Sequence, residues 1–215
     1  MTRGKTRPKP SRGPLVLVYG EDLNDTKSIQ HLLRWVDERF GRVVKARKDP
    51  QSLQRTAKAK AVDGWVDDLR RAVDGFRSQG YDVRAVFVHR DADLLDNSDS
   101  ERERLREQLV SIAEAIPVVP VECTEAWWFL FPTAVENVRP AAWRNIMPKS
   151  SKNVDTIARP KQQLKEITRR AKYEYVESDS VAIAQYVADE KLSISGSSAS
   201  LQHLVRDARQ VGANL

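Results

Sequence analysis

The chain has 215 residues, 40% of them hydrophobic and 31% charged, which is enough apolar material for one core of domain size. No apolar run approaches the roughly 18–20 residues of a membrane-spanning helix, and the one cysteine, Cys123, excludes an internal disulfide. The formal net charge is +6, of which Arg3, Lys5, Arg7, Lys9 and Arg12 supply five before the first acid, Glu21, so 31 basic residues face 30 acidic ones in the rest.

Residues 1–14, rich in Pro and Arg, therefore form a basic tail expected to be disordered on a nearly neutral body. They lack the apolar segment of a secretory signal, and with a lone cysteine the expected compartment is the cytoplasm. Such a tail adds a salt-sensitive phosphate-binding term or serves only solubility. The continuous apolar run LVLVY at 15–19 predicts a strand buried on both faces, ended by Gly20. GEDLND supplies turn and capping chemistry, with Asp25 or Thr26 opening a helix to about residue 40, in which Ile29, Leu32, Leu33 and Val36 share a face. Residues 42–46 form a second expected strand. Val62, Val66, Leu69, Val73 and Phe76 then recur at helical spacing, closed by Gly80. Residues 83–88 make a third strand that runs directly into Asp91-Ala92-Asp93. A helix over 98–115 follows, with Leu105, Leu109 and Ile112 inward. The next strand, 116–121, contains two prolines that suit a sheet edge.

Strands alternating with helices predict an α/β fold with a mainly parallel four-stranded sheet flanked by helices. This domain is expected over 15–131. Beyond it, EAWWFLF at 125–131 looks like a buried helix and 132–155 shows little periodicity. Helices are expected at 160–171, 180–190 and 200–211. Residues 132–215 are read as a helical appendage packed on the core.

Ligand sites of parallel sheets collect at the carboxyl ends of strands, where this chain puts Glu21, Asp91 and Asp93. Ionised carboxylates beside apolar strand ends need partners, and hard oxygen donors suit Mg²⁺ or Mn²⁺. A bare D-x-D can equally cap the next helix. His31, His89 and His203 have no metal-ligand spacing, although His89 adjoins the acids and could orient a ligand. Cys123 reads as core. No phosphate-loop, dinucleotide or G-x-S-x-G motif is present.

An acid after the first strand and D-x-D after a later one resemble the TOPRIM domain, and a further likeness is to small bacterial TOPRIM proteins related to the OLD nucleases. It rests on Glu125-Ala126-Trp127, on Pro160-Lys161-Gln162-Gln163-Leu164, on a following Tyr173 or Tyr175, and on the Ser-rich turn 195–201. The resemblance implies a metal-dependent nuclease, DNA favoured over RNA, in anti-phage defence or nucleic-acid maintenance. It implies Glu21, Asp91 and Asp93 as catalytic metal ligands, with Glu125 near the metal. Arg90, Lys161, Arg47 and Lys48 are the expected phosphate clamps. A separate ATPase is an expected partner, since the chain has no ATPase of its own, and assembly with a second copy stays open. One departure stands out. The family writes Val-Glu-Gly where this chain has Val18-Tyr19-Gly20, so Glu21 must stand in for the usual acid, with Asp22 and Asp25 as substitutes, or the site has lost its chemistry. A non-catalytic module that binds a partner or nucleic acid is the alternative reading.

Overall fold

The computed structural model describes residues 11–48, 62–92, 98–148 and 152–215. Four strands, β1 (Pro14–Gly20), β2 (Val44–Lys48), β3 (Asp82–His89) and β4 (Ala115–Val118), form one all-parallel sheet in the order β2-β1-β3-β4. Helices α1 (Leu23–Val36) and α2 (Phe40–Val43) join β1 to β2, α3 (Val62–Ser78) precedes β3, and α4 (Ser98–Gln108) precedes β4. From β1 the chain crosses outward to β2, then returns past β1 to β3. The strand order therefore switches direction between β1 and β3, and a crevice at a parallel sheet's carboxyl edge is expected there.

The apolar runs are continuous because both sheet faces are covered. On one face Val16, Val18, Ala85 and Phe87 pack in a core with Ile29, Leu32 and Leu33 of α1. That core continues through Trp127 and Trp128 into α7 (Asp179–Asp189) and α8 (Ala199–Gly212). On the other, Leu15, Leu17, Tyr19, Val86 and Val88 meet Trp65, Leu69 and Val73 of α3 and Leu105 of α4. A fully buried tryptophan removes roughly 150–250 Å² from water, worth about 4–6 kcal/mol before conformational entropy. The EAWWFLF segment is thus a main anchor between the sheet and the C-terminal third.

The four-stranded parallel sheet and its flanking helices are as expected, while several boundaries differ. The turn of α2 occupies 40–43, so β2 starts at Val44 rather than residue 42. Helix α4 stops at Gln108, although Leu109 and Ile112 beyond it are still buried. Residues Thr124–Leu130 form a 3-10 helix. Helix α5 (Pro132–Val138) lies where no periodicity was visible, and α6 (Pro160–Arg169) follows. Of the basic tail, residues 1–10 lie outside the described residues. Arg12 N donates to Gly80 O at 2.9 Å, and Asp82 N donates to Gly13 O at 3.0 Å, so residues 12 and 13 already run beside the start of β3.

Candidate functional site

Gly20 ends β1 against the end of β3. A Cβ at this position would lie 3.0 Å from Thr26 Cγ2 and 3.1 Å from His89 Cβ and Nδ1, so a larger residue would push α1 and His89 apart by a few tenths of an ångström. Asp22 caps α1 and accepts from Asn24 N at 2.5 Å. The cap fixes the helix start and places Asp25 in its first turn. Past His89 the backbone stays extended: Arg90 N donates to Val118 O at 3.1 Å and Ala92 N to Pro120 O at 3.2 Å. Alternation along this path separates two groups of side chains. Phe87 belongs to the core on the α1 side, and His89 and Asp91 follow at two-residue steps. Arg90 goes to the α3 side, its guanidinium 5.5 Å from the Trp65 ring centroid.

His89 is buried, with Nε2 3.1 Å from Thr124 Oγ1 and 3.1 Å from Asp91 Oδ1. Burial opposes its protonation, yet Asp91, Asp25 and Glu21 together outweigh that and raise its pKa to about 9. Asp91 Oδ1 is buried, and its near partner is the His89 ring, with Nε2 3.1 Å away. Burial pushes the Asp25 carboxyl above the usual carboxylate range, His89 opposes this, and Asp91 and Asp22 reinforce it. Asp25, His89 and Asp91 therefore share one electrostatic centre at the switch point. Glu21 is exposed and acts on His89 by charge.

A second group adjoins it. Glu125 is buried, and Tyr175 Oη donates to its Oε1 at 3.2 Å. Ser180 Oγ in turn contacts Tyr175 Oη and accepts from Trp128 Nε1 at 2.8 Å. Lys161 Nζ lies 3.8 Å from Glu125 Oε1 and 2.5 Å from Glu177 Oε1. Burial works against the Lys161 charge, but Glu177 and Glu125 raise its pKa. Burial, then the Glu125 and Asp91 charges, push the Cys123 thiol up, so it is not a thiolate nucleophile.

Both groups border a cleft of about 490 Å³ lined by Asp91, Glu122, Cys123, Arg159, Lys161 and Lys165, among others. Glu122 and Arg159 both adopt left-handed backbone, with φ of 55° and 51°. They are tied by Arg159 N donating to Glu122 Oε2 at 2.6 Å. This bond sets the start of α6, whose first residue, Pro160, has no N–H to satisfy.

Of the expected site residues, Asp91 and Lys161 line the cleft, and buried Glu125 meets Lys161 at 3.8 Å. Arg47 does not line it: on β2 it is exposed, donates to Ala46 O at 3.1 Å and lies 5.7 Å from the Phe76 ring centroid. Asp93 and the Lys48 side chain lie outside the described residues. Among the described residues no three His, Cys, Asp or Glu side chains gather closely enough to hold a metal ion. The acids coupled to this centre by charge, Asp91, Asp25 and Glu21, all offer carboxylate oxygens, a donor set that in chemistry fits Mg²⁺ or Mn²⁺. Sequence reasoning missed Glu122, Arg159 and Lys165. The four-residue spacing of Lys161 and Lys165 was the available signal for the last. No family model, no curated protein and no solved structure matches this chain.

Proposed function

We propose that the chain is a divalent-metal-dependent nuclease of TOPRIM type that hydrolyses nucleic-acid phosphodiesters, DNA favoured. One observation carries this reading: at the sheet's switch point, Asp91, its buried oxygen facing only His89, borders the same cleft as the cationic start of α6. Mg²⁺ or Mn²⁺ held by Asp91 with Asp25, Glu21 or Asp93 would supply Lewis-acid polarisation of a phosphoryl oxygen. Lys161 would hold a non-bridging phosphate oxygen, exchanging its exposed partner Glu177 for the phosphate while Glu125 keeps it oriented. Exposed Glu21 would accept the proton of the attacking water. His89 would hold Asp91 in place by charge. The resemblance extends the proposal to anti-phage defence or nucleic-acid maintenance, with a separate ATPase as partner.

The test is cleavage of labelled DNA and RNA in Mn²⁺ or Mg²⁺. Asp91→Ala and Asp93→Ala are each expected to lose roughly a hundredfold or more, and full activity in both would sink the mechanism. One observation favours a second reading, a non-catalytic module that binds nucleic acid or a partner. Tyr19, at the position of the family's acid, is buried in the core with Trp65 and Leu69. If Mn²⁺ leaves the thermal midpoint of the wild type unchanged, this reading takes over.

A further inference from the structure

Cations on α3 and α4 are mostly neutralised locally. Arg70, Arg71 and Arg77 on α3 each pair with the aspartate three residues earlier, and Arg104 and Arg106 on α4 pair with the glutamate three residues earlier. Helix α6 breaks the pattern. Lys161, Lys165 and Arg169 follow one another at four-residue steps, which puts them within about 80° around the helix and about 6 Å apart along it. Arg159 stands just before them. Only Lys161 forms an ion pair; Arg159, Lys165 and Arg169 form none among the described residues. The one carboxylate within the helix, Glu166, accepts from the Gln162 amide at 3.0 Å instead. Leu164 and Thr168 are buried, which anchors α6; the stripe flanks them, with Lys161 and Lys165 half-buried at the cleft and Arg169 exposed. Its first members, Arg159, Lys161 and Lys165, line the cleft that Asp91 borders, and Arg169 continues the row onto the exposed surface.

We infer that this stripe is a track for one nucleic-acid strand, guiding its phosphates along α6 into the cleft; the inference rests on the nucleic-acid reading above. A single row of cations one residue wide matches one backbone rather than the two of a duplex. Unpaired side chains also leave their charge available for release of counterions from the strand. The left-handed pair Glu122 and Arg159 fixes where the row begins.

The test is binding of a fluorescent single-stranded oligonucleotide in EDTA over a series of salt concentrations. Each of Lys165→Ala and Arg169→Ala is expected to lower the slope of log K against log salt by about 0.7, and the double variant by about twice that. Arg104→Ala and Arg106→Ala on α4 are expected to leave it unchanged. Unchanged slopes in the α6 variants, or equal losses in the α4 controls, would overturn the track. Arg169 is exposed, so Arg169→Ala keeps the test decisive should Lys165→Ala fold poorly. EDTA suppresses cleavage, so the track survives a failed nuclease assay if the slopes change. It falls alone if cleavage is found and they do not.

Discussion

Two histidines show how one residue type is set by its surroundings. His89 is buried deeply enough to favour the neutral ring, yet Asp91, Asp25 and Glu21 hold it charged, so it serves as an internal counter-ion for the strand-end acids. His31, half-buried on α1, has no such support. Burial first, then the charge of Arg34, lowers its pKa, with Asp189 opposing weakly. The folded protein therefore binds fewer protons at His31 than the unfolded chain does. That contribution to stability is complete above the unfolded value near pH 6.5 and is lost as pH falls through the lower folded value. Urea unfolding from pH 7 to 5 is expected to show the wild type losing more stability than His31→Gln. Identical pH slopes would mean that His31 is solvated in the folded state.

Among the elements, α8 depends on a capping group that comes from far away in sequence. Asp155 accepts from Ser198 Oγ at 2.7 Å and from Ala199 N at 2.6 Å. It also accepts from Ser200 N at 3.2 Å and Ser200 Oγ at 2.9 Å. Ser198 itself caps α8 by accepting from Leu201 N. A carboxylate at a helix N-terminus satisfies orphan donors and complements the dipole. Asp155→Ala is expected to lower stability by about 2–3 kcal/mol, measured by urea unfolding, whereas a loss under about 0.5 kcal/mol would mean that the serines suffice. The terminal helix itself was legible from its spacing, while this cap was not, because nothing local joins residue 155 to 198. Helix α5 was missed for a related reason. Its buried residues are only Ala134 and Val135, too few to write a period. The strands were legible because LVLVY and AVFV are continuous apolar runs. The site was legible in part. Asp91 follows directly from its place at a strand end. Counting from Tyr19 favoured Glu21, but Asp22 caps α1 and leaves Asp25, in the first turn, coupled to His89 and Asp91. Glu122 and Arg159, both with left-handed backbone, are joined by one tertiary hydrogen bond, which no local pattern encodes.

At the scale of the molecule, the decisive feature is that the C-terminal third does not keep a core of its own. Ile183 and Val187 of α7 share one buried cluster with Val16 and Val18 of β1 and Ile29 of α1. Trp35 Nε1 donates across to Leu192 O at 2.9 Å. Arg102 of α4 pairs with Asp207 of α8 at 2.6 Å with both side chains largely buried. The cleft is built the same way, Asp91 coming from the sheet and Lys161 from α6, so the site exists only while both parts are folded together. One cooperative unit follows. Ile183→Ala removes buried atoms from α7 and is expected to cost about 2–5 kcal/mol. If the molecule unfolds as one body, amide hydrogen exchange in β1 and β3 must lose protection by the same free energy, although neither strand has been altered. Loss of protection in α7 alone, with β1 unchanged, would show an appendage that opens by itself. The cleft would then close and open with it.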